Sequence, residues 1–260
     1  MKHIKKKFLF EDKLKDFKYE NNIDYEVLDI KELNNDVLKN ASKSKNVILE
    51  TNLNEKIFAF IYNNNGKHIT VPMPDFTLVY YDFAYKLNIQ RKELAKDIFD
   101  KLNNYDKFSE VNSNLLYDFY GYSSSCIINL FTAIESFINS QLPYDKKYEN
   151  VLNNKTEFYN REQIQSHLTF FDKLKKVLPQ FYDNKNFFNK STPTNEHIIK
   201  LKELRDKIIH TKSDSSGENQ IELFKSLLKF KYDDTFDAVR KLINFYKSDY
   251  IIDCPCEKDF

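Results

Sequence analysis

The sequence predicts a mainly α fold, with a C-terminal antiparallel helical bundle preceded by a small α+β region that carries a β-hairpin. Three observations lead there. Glycine is scarce, with only Gly66, Gly121 and Gly217 in 260 residues, and six prolines are spread thinly, so long segments run without breakers. From about residue 109 onward, apolar residues recur at the three- and four-residue spacing of a helix face. Before that point, two β-rich runs flank Asn65-Gly66, the pair that supplies the positive φ angles of a tight hairpin turn.

Taken in order, "NVILETN" reads as a strand, and "KIFAFIY" and "HITVP" form the hairpin around "NNNGK". Beyond Pro74, Asp75 is a capping residue for a helix with apolar positions at Phe76, Val79, Tyr80, Phe83 and Leu87. Leu94, Ile98 and Leu102 continue the spacing in a second helix. "NNYDKFSEVNSN" is a connection, and the boundary is placed near 108. One helix covers roughly 113 to 142, and another runs from Asn160 to Val177 before Pro179. A third starts behind Thr192 as N-cap with Pro193 at its first position, and it should end soon after His210 in the polar "TKSDSSGEN". Two last segments, with Ile221, Phe224, Leu227 and Leu228, then Phe236, Val239, Leu242, Ile243 and Tyr246, complete the bundle. The organisation is therefore an α+β region over 1–108, a bundle over 109–250 and a tail over 251–260.

Composition removes several classes of function. No glycine cluster exists that could bring backbone N–H groups around a phosphate, which excludes Walker-type and dinucleotide-binding loops. With 40 Lys and Arg against 39 Asp and Glu, the chain lacks the global charge of a nucleic-acid binder, so any RNA contact must use a local patch. The lysine runs, such as 5 to 7, are read as solvated surface. Three cysteines, Cys126, Cys254 and Cys256, do not make the even framework of a secreted disulfide protein. No apolar run reaches the ~20 residues of a membrane span, so a cytoplasmic protein without membrane contact is expected. Cys254 and Cys256 lack the further ligands a metal site needs, no metal or cofactor is expected, and His167 reads as a half-buried structural histidine.

One stretch carries chemistry. In "LKELRDKIIHTKSD", residues 201 to 214, helical winding puts Ile198, Leu201, Leu204, Ile208 and Ile209 on an apolar arc that also contains Arg205. A guanidinium there needs a partner or a purpose. In residues 123 to 142, Ile127, Leu130, Phe131, Ile134, Phe137 and Ile138 face the core, and Glu135 lies among them. Glu135 and Arg205 are therefore expected to form a buried bidentate pair, whose loss by Glu135→Ala would cost ~3–5 kcal/mol. His210 falls near the last helical turn, where the carbonyl end attracts a cationic imidazole, and Asp206 four residues earlier is expected to bond one ring nitrogen. An anchored cation, an orienting carboxylate and a titratable base are the parts for proton transfer beside a phosphate.

"RDKIIH" with Arg205, Asp206 and His210, together with the acidic position in "AIESFIN", resembles the HEPN superfamily of helical-bundle domains found in prokaryotic toxins, abortive-infection proteins and RNases. The resemblance covers roughly 110 to 250. It implies a metal-independent endoribonuclease acting on RNA in phage defence or growth arrest, with two protomers pairing their motifs across a shared cleft and a possible antitoxin or defence-system partner. It implies His210 in proton transfer, Arg205 holding the scissile phosphate or positioning the cleft, and Asp206 orienting its neighbours, with Glu135 supporting. Where one toxin subgroup carries a Tyr two residues after the His, this chain has Lys212. The alternative is a catalytically silent HEPN-like module that dimerises and binds RNA or a protein. An open groove with basic side chains around His210 favours the first reading, and a sealed His210 the second.

Overall fold

The computed structural model describes residues 3–9, 25–44, 46–52, 55–212 and 215–255. It is mainly helical, with a small sheet in the N-terminal part. By contacts the chain divides into two compact units. One comprises Lys6–Asp75 and Leu142–Leu168, and the other Met1–Lys5, Phe76–Gln141 and Thr169–Phe260. The division thus falls before Phe76 rather than near 108, because the helix that follows packs with the later helices.

In the first unit, β1 (Tyr25–Asp29), β2 (Asn46–Glu50), β3 (Lys56–Asn64) and β4 (Lys67–Pro72) form a sheet in that order, β1 parallel to β2 and the remaining pairs antiparallel. The parallel pair needs a crossover, which α1 (Asn35–Ala41) provides. Leu38 and Ala41 of α1 pack with Leu28, Val47, Leu49 and Ala59 over one sheet face, and Ile48 and Phe58 point to the other. The β3–β4 turn is the expected one. Asn65 and Gly66 take φ of 52° and 89°, and the Gly66 N–H donates to Asn63 Oδ1 at 2.8 Å. A second hairpin, β5 (Tyr148–Leu152) and β6 (Lys155–Tyr159), was not anticipated from sequence. Its signals were the two-residue Asn153-Asn154 turn and the β-branched and aromatic residues on either side. α4 (Arg161–His167) follows, held by a capping box between Asn160 and Gln163.

The second unit holds the long helices. Where two helices were expected after Pro74, α2 (Phe76–Leu102) is continuous. The polar stretch that interrupts its apolar spacing serves a network instead of a break. Buried Asn88 donates to Asp233 Oδ1 at 3.1 Å, Arg91 Nε donates to Asn88 Oδ1 at 3.0 Å, and the Arg91 guanidinium lies 3.9 Å over the Tyr232 ring. The buried face of α2 is Leu78, Tyr81, Ala84, Leu87 and Ile98; Leu87 and Ile98 are buried as the spacing predicts, but Phe76, Val79 and Phe83 are exposed, contrary to it. α3 (Ser113–Ser140) runs alongside it and buries Ile127, Leu130, Phe131, Ile134, Phe137 and Ile138 as expected.

The single helix expected over 160–177 is interrupted at Leu168, where the backbone extends. Thr169 then caps a new start by accepting from Asp172 N. α5 (Phe170–Asp172), a π-helical turn (Lys173–Val177) and α6 (Leu178–Phe181) follow without a gap, so the chain stays helical through Pro179. The wider π turn absorbs the bonding that proline, lacking an N–H, cannot continue. α7 (Pro193–Ile209) begins as expected, with Thr192 Oγ1 accepting from Asn195 N at 3.2 Å. α8 (Glu218–Lys229) is entered through Gly217 at φ 72°, a left-handed conformation open to glycine at little cost. α9 (Tyr232–Tyr246) buries all five apolar positions expected of it. In α8 only Leu227 is buried, leaving Ile221, Phe224 and Leu228 exposed. The ends of this unit meet in backbone pairing, with Ile4 bridged to Asp253 and Cys254 N donating to His3 O at 2.8 Å. No helix among the described residues is long and apolar enough to cross a membrane.

Cys126 lies fully buried on α3, and burial pushes its thiol up to about 12. Cys254 is partly exposed, and Cys256, with the rest of 256–260, lies outside the described residues. A thiol reagent at pH 8 should therefore modify Cys254 in the native protein and reach Cys126 only after denaturant is added. Peptide mapping that finds Cys126 labelled natively would contradict this packing.

Candidate functional site

Arg205, Asp206 and His210 share the last turns of α7, and the reason they stand at its edge lies in the residues beneath. Ile198, Leu201 and Leu204 are buried against the other helices, which fixes the rotation of α7. That rotation brings Arg205 beside α3, where its guanidinium sits 5.0 Å over the ring of buried Phe131. His210 closes the helix. Its N–H donates to Asp206 O at 2.9 Å, and Thr211 Oγ1 bonds the Ile208 carbonyl at 2.7 Å, so the backbone of the last turn is held while the imidazole is exposed.

The expected partnership of Arg205 and Glu135 takes a weaker form. The closest approach is 3.8 Å, from Nη2 to Glu135 Oε2, and the two side chains keep 27% and 39% of their accessible surface. This is a loose, half-solvated ion pair and not a buried bidentate one. The closer carboxylate is Asp206, whose Oδ1 accepts from Arg205 Nη1 at 3.1 Å and whose Oδ2 accepts from Lys202. Partial burial alone would raise the Asp206 carboxyl, but the Lys202 and Arg205 bonds outweigh it and hold the group below the usual aspartate range. A depressed carboxyl contributes stability above its ordinary titration range, and that contribution is lost only as pH falls through the lower native value. Asp206 is thus committed to two cations, and its side chain does not reach the imidazole of His210 as the four-residue spacing suggested.

Two further features were missed from sequence. Lys173, in the π turn, is lowered by burial, partly offset by the nearby Glu135 carboxylate. Glu135 therefore stands between two cations, Arg205 and Lys173. The second feature is a cleft of about 370 Å³ where the end of α7 meets the start of α8, lined by Lys207, His210 and Lys212 on one side and Asn219, Glu222 and Leu223 on the other. His210 opens into this cleft. His167, by contrast, is exposed, with Nδ1 3.3 Å from Ser166 Oγ, and belongs to the other unit. Among the described residues, no three His, Cys, Asp or Glu side chains are grouped to hold a metal.

The loose Glu135–Arg205 geometry changes the expected cost of breaking it. Exposed pairs of this kind are worth ~0–1 kcal/mol, so Glu135→Ala should lower stability by about 1 kcal/mol or less, not by the ~3–5 kcal/mol of a buried pair. Denaturant melts of the variant and wild type decide between these values. In comparisons with known proteins, no family model, no curated protein and no solved structure matches the chain.

Proposed function

We propose that this protein is a metal-independent endoribonuclease of HEPN type, acting on RNA in phage defence or growth arrest. The observation that carries the reading is an exposed His210 at an open cleft beside Lys207 and Lys212, with Arg205 tethered one and a half turns away. In the reaction, the 2′-hydroxyl of one nucleotide attacks its own 3′-phosphate. The 2′-O–P bond forms, the bond to the 5′-oxygen breaks, and one proton leaves the hydroxyl while another reaches the departing oxygen. His210 has the chemistry for either transfer. Arg205 is held by Asp206 and keeps over a quarter of its surface for a phosphate oxygen. The competing reading, a silent module that dimerises and binds RNA or a protein, draws support from the His210 ring, which has no orienting hydrogen-bond partner among the described residues.

One chain supplies a single motif histidine, and the reaction asks for a base and an acid. A homodimer that brings two α7 ends together doubles the inventory without new sequence. Ile209, 46% exposed next to His210, is an apolar residue that such a contact would cover. The trigger, and an antitoxin or defence-system partner, belong to the same proposal.

Purified protein in EDTA should cleave RNA to products ending in 2′,3′-cyclic phosphate, and His210→Ala should lose this activity while melting like wild type. Activity that vanishes with chelator and returns with Mg²⁺ would overturn the mechanism.

Light scattering should give about twice the chain mass of 31.2 kDa. Inactive His210→Ala subunits, exchanged with wild type, should suppress activity beyond dilution; a fully active monomer would return the chemistry to one chain.

A further inference from the structure

A second cleft of about 370 Å³ lies along α7 on the side away from Arg205, and nothing in the reaction proposed above uses it. His197, Lys200, Leu204 and Lys207 follow one another at three- and four-residue steps on α7, so they form a single stripe. Lys229 and Lys231 border the cleft from the end of α8 and the segment before α9. Among the described residues, Lys207, Lys229 and Lys231 have no carboxylate partner. Lys200 is bound to Glu196 at 2.7 Å, and Glu203 is the cleft's one acid. Asp233, just past Lys231, is taken up by Lys92 at 2.7 Å.

The cleft is also built, not merely charged. His197 Nδ1 lies 3.3 Å from Thr235 Oγ1, whose hydroxyl already donates to the Lys231 carbonyl at 2.7 Å. The imidazole nitrogen is therefore the donor, and one buried threonine fixes both His197 and the backbone carrying Lys231. Lys207 lines this cleft and the His210 cleft alike. The two are consecutive reaches of the α7–α8 groove. From His197 to His210 the helix advances ~20 Å at 1.5 Å per residue, which is long enough for a strand and too long for one phosphate.

We propose that the α7–α8 groove is the track of a single-stranded RNA backbone, with Lys207, Lys229 and Lys231 neutralising the phosphates that flank the one presented to His210. A single strand enters a concave groove with its bases turned out or stacked, whereas a duplex presents a rigid convex surface. This rests on the RNase reading for the identity of the strand, and its test uses binding, so the two fail separately.

In the His210→Ala background, which preserves the probe, a fluorescein-labelled single-stranded RNA of mixed sequence is titrated by anisotropy across a salt series. Lys229→Gln/Lys231→Gln should weaken binding about tenfold and lower the slope of log affinity against log salt by about 1.4, at ~0.7 per single-strand phosphate contact. Lys43→Gln/Lys96→Gln, a pair of exposed lysines outside the groove, should change neither. The proposal is overturned if the groove pair behaves like the control pair, if duplex RNA binds tighter than single strand, or if no RNA binds. Groove-dependent binding by a wild type that cuts nothing supports the track and sinks the nuclease. Cleavage untouched by the groove variants does the reverse.

Discussion

The candidate site depends on the burial of one helix. α3 buries an apolar face, Ile127 through Ile138, and α2, α7, α8 and α9 all contact this helix; each side chain fully removed from water there contributes ~1.5–3 kcal/mol. A close-packed face of that kind tolerates no rotation of its neighbours. The seating of Leu201 and Leu204 therefore turns Arg205 toward Phe131 and brings His210 out at the edge. The placement of charged groups at the rim is a by-product of geometry fixed in the interior.

Electrostatics then refines what packing places. Four charged groups, Lys202, Arg205, Asp206 and Glu135, lie in a part-solvated patch where no single pair dominates. Had Glu135 neutralised Arg205 in a buried pair, a phosphate would have had to compete with a fixed carboxylate in a low dielectric. As it stands, water already screens Glu135, and the guanidinium is steered more by its neighbour Asp206 and by the face of Phe131. The arrangement positions a cation and leaves part of it available.

Much of this was legible in the residues. Thr192-Pro193, Asn65-Gly66 and the faces of α3 and α9 follow from capping, turn chemistry and helical period, each a local rule that the surroundings did not override. The N-terminal half of α2 does not follow its most hydrophobic side chains, because Tyr81 and Asn88 are buried with their hydrogen bonds while Phe76, Val79 and Phe83 face outward. Thr169-x-x-Asp172 did announce a fresh helix start, but the continuing apolar spacing hid it. The site was legible as a set of residues and not as a set of contacts. A helical wheel gives direction but not reach, and it cannot show that Asp206 turns to Lys202 instead of His210. The lysines of the α7–α8 groove looked like ordinary surface, since what distinguishes Lys207, Lys229 and Lys231, that they line one groove and have no carboxylate partner among the described residues, is a property of tertiary placement.

The pairing of Ile4 with Asp253 has a consequence for how the chain is made. The sheet residues 25–72 are contiguous and can associate as soon as they are synthesised, but the helical unit is discontinuous and its first strand segment waits for its last. At ~5–20 residues per second, that wait spans about 10–50 s of translation. During it residues 7–9 can already pair with 73–75 and with Phe58, but Ile4 has no partner, and α3 has emerged before the α9 surface that covers it. Closing so long a loop carries the largest chain-entropy cost of the pairings described, so the Ile4–Asp253 contact should form late in a protein made mostly of helices.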